Sequence, residues 1–346
     1  MGLISLNRYR GSACMLPLVP LVAVLTACGG GGGSSAPLVV VPDGPRAVAA
    51  SADSDVTVVN FGVLGAPLVR AVLGGSDTGL LDPIGGADAQ PQAARGGALV
   101  RAPTLTGRTV LAWMARVDGA DRKRIAAVTT ESLPCALGGQ LTVSFDDADN
   151  DNELSAGDSI AFSAQDCVED VGLPAANGGF TMRINAVELD AQGEPTALDV
   201  SGSFNAFTLA GYGSVDGAFQ LWTRQETAAS TRLRVSYRAA SVTEASGTVL
   251  YDFDIDGLEN AAGGSFEISG GLGIAGRTYA LSTPVRMQYA AGQAPAVGTV
   301  DLRDAAGDKL QLVARSAVSF DLGFAPAGSE LWTEALIGLA WADYED

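Results

Sequence analysis

Between residues 141 and 322 the chain keeps returning to one pattern: short stretches of alternating apolar and polar residues, separated by turn-forming clusters. A period of two puts successive side chains on opposite faces of an extended chain, so each stretch reads as a half-buried β-strand. The stretches are 141–145, 160–162, 181–185, 198–204, 219–222, 233–237, 249–255, 266–268, 300–302, 310–313 and 318–322. Turn clusters rich in Asp, Gly and Ala fall at 190–194, 261–264 and 304–307. A weak echo runs through them, a Gly-small-apolar strand opening at Gly202-Ser-Phe204, Gly217-Ala-Phe219, Gly247-Thr-Val249, Gly264-Ser-Phe266 and Gly298-Thr-Val300. Its intervals are near one or two units of about sixteen residues, the length of a hairpin. The expected fold is mainly β: one large antiparallel meander, as a curved sheet, a sandwich or a partly closed barrel.

Upstream the texture differs. Residues 67–73 suit a short helix with Pro67 in its first turn, and 74–97 read as loop. Val110, Leu111, Met114 and Val117 recur at helical spacing with Arg108 and Arg116 off that face, and the pattern extends through Arg122, Lys123 and Arg124 to Val128. The basic cluster reads as the solvated end of that helix. One or two N-terminal helices are therefore expected to pack on the sheet. The organisation that follows is a signal at 1–27, a tether at 28–37, a segment with helices and loops at 38–134, and a β domain at 135–346.

The N-terminus is built for export. Arg8 and Arg10 precede an apolar run at 15–25, which ends in Leu25-Thr26-Ala27-Cys28. That order of positive, apolar and small residues is a secretory signal. The run is too short, and too broken by Pro17 and Pro20, for a membrane span of roughly 20 residues. Leu25-Thr26-Ala27-Cys28 resembles the bacterial lipobox. The resemblance implies cleavage before Cys28 and its lipidation, and Gly29 in place of an acid after it implies the outer membrane. Whether the protein sits on the periplasmic side or the surface is left open. Glycines 29–33 with Ser34 and Ser35 resemble the flexible tether found after such cysteines.

Composition narrows the chemistry. With 21 Lys+Arg against 39 Asp+Glu, the net charge is −18. Such a surface lacks the cationic footprint that nucleic acid requires. The chain has no histidine, which removes Ser-His-Asp and Cys-His catalysis and His-ligated zinc. Lys123 and Lys309 are the only lysines. Of the four cysteines, Cys14 leaves with the signal and Cys28 takes the lipid. Cys135 and Cys167 remain, and in an oxidising compartment they are expected to form one structural disulfide.

One stretch carries metal chemistry. Asp147-Ala-Asp149-Asn-Asp151-Asn-Glu153-Leu-Ser155-Ala-Gly-Asp158 resembles the twelve-residue EF-hand or dockerin-type loop, with acids at positions 1, 3, 5 and 12. The resemblance implies a calcium ion held by Asp147, Asp149, Asp151, Asp158 and the carbonyl of Glu153, with Ser155 acting directly or through water. Asn152 stands where the family has glycine, and Asp158 where it has a longer bidentate Glu, which implies weaker binding. The flanking strand patterns make the loop the tip of a β-hairpin, and the role structural. A second acidic stretch, Asp252, Asp254 and Asp256, alternates with apolar residues as a half-exposed strand does. Arg232, Arg234 and Arg238 alternate likewise, and are expected to face those acids across a hairpin in exposed pairs contributing a few tenths of a kcal/mol each.

Taken together, the lipobox, the helical segment, Cys135-Ala-Leu-Gly-Gly139, the Asp-rich loop with Leu154-Ser-Ala-Gly-Asp-Ser159, Cys167 and the long β region resemble a group of bacterial lipoproteins. The resemblance implies anchoring and architecture and brings no activity with it. The first expectation is a calcium-stabilised, non-catalytic envelope lipoprotein with its membrane contact through the lipid. The second is a carrier of a lipophilic ligand in the curved sheet, favoured by a deep apolar cleft under the helix. The third is a carboxylate-pair glycan hydrolase, for which no pair of acids is singled out.

Overall fold

The computed structural model describes residues 39–40, 42–76, 129–149, 155–168, 175–190, 195–210, 213–227, 229–244 and 247–344. A helix, α1 (Phe61–Ser76), precedes the sheet. The strands follow as β1 (Thr129–Pro134), β2 (Gly138–Asp146), β3 (Ser159–Val168), β4 (Ala176–Leu189) and β5 (Pro195–Leu209). Next come β6 (Gly213–Thr227), β7 (Ser230–Glu244), β8 (Gly247–Asn260), β9 (Gly263–Ile274) and β10 (Arg277–Ala290). The sheet finishes with β11 (Val297–Arg303), β12 (Lys309–Ser316), β13 (Ser319–Ala325) and β14 (Glu334–Ala340). Each strand pairs antiparallel with the next, giving one fourteen-stranded sheet in chain order that is not closed. The expected meander is thus an open sheet with β1 and β14 at its edges. The segment 104–128, expected to be helical, lies outside the described residues.

The alternation predicted from sequence builds one continuous apolar face. Cross-strand register aligns Val143, Phe162, Phe180 and Phe204 on neighbouring strands. Further along, Leu302, Leu310 and Phe324 align, as do Val300, Leu312 and Leu322. The rings of Phe180, Phe204 and Phe219 meet at centroid distances of 5.2 to 5.8 Å, geometry that adds to the area each ring buries. Gly202, expected to open a strand, sits inside β5 instead. A Cβ there would stand 2.4 Å from Phe219 Cζ, so the glycine clears room for the ring.

A line of β-bulges crosses the sheet. Asp166, Ala206 and Ala239 adopt positive φ near +46° to +49°, and the register shifts beside each of them. The neighbouring strand supplies a glycine at the close approach. A Cβ on Gly178 would lie 2.1 Å from the Ala206 carbonyl oxygen, and one on Gly217 would lie 2.5 Å from Ala240 Cα. The displaced amides are satisfied by side chains: Asp166 N–H donates to Asn177 Oδ1 (2.8 Å), and Ala206 N–H to Asp216 Oδ1 (2.5 Å). Bulges bend and twist the strands that carry them.

Helix α1 lies on the apolar face over β8, β9, β12 and β13. Leu68, Val69 and Val72 are fully buried there, and a Cβ on Gly65 would lie 2.6 Å from Leu322 Cδ1. The helix begins earlier than sequence suggested. Thr57 Oγ1 accepts from Asn60 N–H while Asn60 Oδ1 accepts from Thr57 N–H, a reciprocal cap that starts it upstream. Pro67 therefore falls in the helix interior, not the first turn. Its missing N–H leaves the carbonyl of Val63 without its intrahelical donor, at a residue exposed to water.

Residues 39–40 and 42–56 form a strap across the opposite, polar face. Val39 is buried against Ala186, Ala197 and Trp222. Its N–H donates to Glu188 (2.8 Å), and Arg224 donates to its carbonyl. Arg234 donates to the carbonyls of Pro42 (2.7 Å) and Gly44 (3.0 Å). Arg46 makes a two-bonded pair with Asp252, and Ser51 bonds the backbone of Thr278. Val56 N–H donates to Asp304 (2.8 Å), and the chain then turns onto the apolar face as α1.

Under this strap lies the Arg/Asp ladder foreseen across the β7–β8 hairpin. Arg234 and Arg238 both donate to Asp254, Ser236 adds a third bond, and Arg232 reaches Asp256 (2.9 Å). The pairing is as expected, but its setting is not: Asp254 is 2 % and Arg234 5 % exposed, because the strap covers them. The hydrogen bonds of Arg238, Ser236 and Arg234 outweigh the burial of Asp254, and hold its carboxyl below the usual carboxylate range.

Candidate metal centre

The acid loop sits where the pattern put it, between β2 and β3 at one end of the sheet. Val143–Phe162 and Asp146–Ser159 pairing brings the two strand ends together. The loop is also tied sideways to β4, since Gly157 N–H donates to the Ile184 carbonyl (2.8 Å) and Ile184 N–H to the Asp158 carbonyl (2.9 Å).

Three of the six residues expected to hold an ion converge. One carboxylate oxygen from each of Asp147, Asp149 and Asp158 lies within 4.8 Å of the others. Asp147 and Asp158 are buried, at 4 % and 0 % exposure, and Asp149 is exposed. Ser155 joins the group, its hydroxyl donating to Asp149 Oδ2 (3.1 Å). Asp151 and Glu153 lie outside the described residues, as does Cys28. Two like charges at such a separation repel by on the order of 3 kcal/mol at an effective dielectric of about 20. The donor set is all hard oxygen, which fits calcium rather than a softer metal.

Asp158 does more than the loop pattern implied. Its Oδ1 accepts from Ala148 N–H (2.9 Å) and its Oδ2 from Ser155 N–H (2.6 Å). The residue standing at the ligand position thereby pins both shoulders of the loop. Such a brace is legible only in part from sequence, in the general tendency of Asp to bond nearby backbone amides.

At the opposite end of the β2–β3 hairpin, Cys135 and Cys167 lie at disulfide distance, with Cα atoms 5.4 Å apart. The hairpin is thus closed at one end by the acid loop and at the other by the cysteine pair. The residues that sequence reasoning missed are those of the strap, chiefly Val39, Arg46, Glu188 and Arg224. They are joined across more than thirty to two hundred positions, and no local pattern signals them. Comparison with protein families, curated proteins and solved structures produced no match.

Proposed function

We propose that the protein is a lipid-anchored, non-catalytic component of the bacterial envelope, held at the outer membrane through Cys28 and stabilised by a calcium ion in the β2–β3 loop. The observation that carries the calcium reading is the convergence of Asp147, Asp149 and Asp158, two of them buried, with one carboxylate oxygen of each within 4.8 Å of the others. Asp151, Ser155 and the carbonyl of Glu153 complete the proposed ligand set. When bound, the ion supplies the positive charge that three neighbouring carboxylates call for, and joins the loop's two halves. The close packing of α1 on Leu322 is what a structural core requires, and ranks this reading above a lipophile carrier.

Isothermal titration of chelator-treated protein with calcium tests the site. One ion per chain, lost in Asp149→Ala, is the expected result, and no heat above dilution overturns it. Membrane fractionation tests the anchor: Cys28→Ala should move the protein to the soluble fraction, and retention after a carbonate wash would place the anchor elsewhere.

A further inference from the structure

β14 forms one edge of the sheet, and among the described residues β13 is its only strand neighbour. An edge strand keeps a row of N–H and C=O groups without ladder partners, which proteins usually blunt with charges, prolines or a covering segment. Within β14 the only charge is Glu334, and there is no proline. Its apolar side chains face water: Ile337 is 67 % and Leu336 40 % exposed. Leu336 also lies against α1, with its Cδ1 3.8 Å from the point a Cβ on Gly62 would take. Val63, next to that glycine, is exposed as well, so the apolar surface passes from the strand onto the helix.

The edge is held in one shape. Ahead of it, Trp332 covers Gly323 and donates from Nε1 to Gln311 Oε1 (3.1 Å). Behind it, Trp341 packs on Phe320 with ring centroids 4.4 Å apart and donates to the Ser316 carbonyl (3.0 Å). In the middle, Ile337 and Gly338 together oppose Asp321, a bulge fixed by the bond from Gly338 N–H to that buried carboxylate (2.7 Å). A template ordered in advance loses little entropy when a further strand joins it.

Charge selects the occupant. Exposed acids stand at both ends of the edge, Glu334 at its start and Asp343 three residues past its end. A second copy laid antiparallel along the whole strand would bring each Glu334 toward the other's Asp343, and bulge against bulge. Like charges facing each other across a strand pair are destabilising. A strand with basic residues at both ends meets opposite charge at both, and the chain's net charge of −18 steers such a partner in. We propose that β14 takes on an added strand from a partner protein, an extended apolar segment bracketed by Lys or Arg. Main-chain bonds to the edge would supply the affinity, and the Leu336–Val63 surface and the two acids the selectivity.

The test uses the purified full chain at physiological ionic strength and a dye-labelled synthetic peptide, Lys-Lys-Val-Thr-Val-Thr-Val-Lys-Lys, followed by fluorescence anisotropy. Saturable binding is expected, severalfold tighter than for the same peptide with Glu at its four Lys positions. The peptide N-methylated at its valines and threonines, which keeps the charge but cannot join a ladder, should not bind. Glu334→Lys with Asp343→Lys should reverse the preference between the two charged peptides. No binding, equal binding of the two, binding that survives N-methylation, or a preference unchanged by the double variant overturns the proposal. A chain that sediments as a dimer without peptide, and as a monomer once Ile337→Lys is made, gives the edge to a second copy and overturns it too.

Discussion

The hydroxyl of Thr283 in β10 lies 2.8 Å from both the amide nitrogen and the carbonyl oxygen of Ile268 in β9, accepting from one and donating to the other. It stands in for backbone pairing at the bulge beside Pro284, where the β9–β10 register breaks between Leu281 and Met287. Proline cannot donate to a ladder, and in a central strand it survives only at such a site. Thr283→Val should therefore leave two buried backbone groups of Ile268 unsatisfied and cost about 2–4 kcal/mol. Thr283→Ser, which keeps the hydroxyl, should lose much less. Urea denaturation of both variants measures the contrast.

The buried ladder predicts an acid response. Asp254 has a carboxyl held below its ordinary range, so its contribution to stability is complete above about pH 4, the unfolded value, and fades as pH falls through the lower folded value. Asp254→Ala takes from the buried Arg234 its nearest carboxylate, leaving it Asp256 at 3.8 Å and the carbonyls of Pro42 and Gly44, and should cost about 3 kcal/mol at pH 7. The gap between wild type and variant should narrow toward pH 2. A gap that stays constant from pH 7 to pH 2 would show that the carboxylate's charge is not what stabilises the fold.

In the acid loop, Asp149 and Asp158 should separate in thermal melts. Asp158→Ala removes the acceptor of two loop amides, so it should lower the melting temperature even in chelator, by an amount equivalent to about 2–4 kcal/mol. Asp149→Ala removes one of the mutually repelling charges, so it should leave the chelated protein as stable as wild type or more so, and abolish the gain from millimolar calcium. Equal losses in chelator would mean that Asp149 braces the loop as Asp158 does.

The cysteine pair spans a sequence separation of 32, so the bond should constrain the unfolded chain by about 3–4 kcal/mol. Non-reducing peptide mapping should recover one Cys135–Cys167 cross-link, and the double serine variant should unfold at correspondingly lower denaturant. Two free thiols in protein made in an oxidising compartment would contradict it.

Strands whose two faces meet different surroundings could be read from the sequence, and the others could not. β8 and β13 alternate plainly because one face is apolar core and the other polar. β10 was hidden by Pro284 and its bulge, a feature tolerated only because Thr283 happens to reach Ile268. β1, TTESLP, carries no apolar stripe, since an edge strand buries little. β14, EALIGLA, is apolar on both faces and largely exposed, so it shows no period of two.

The metal centre divides the same way. That Asp147, Asp149 and Asp158 would converge was written in their spacing, because a short loop between paired strands brings its own residues together whatever the rest of the chain does. The same locality made the chain-order meander legible, as brief turns leave each strand only its neighbour to pair with. What tertiary structure alone decided is everything joined over long separations: the burial of the Asp254 ladder, the Val39 clamp at Glu188, and the seat of α1 on Leu322. Those contacts depend on where bulges and twist carry each strand's side chains in space, and a periodicity of two holds no record of that.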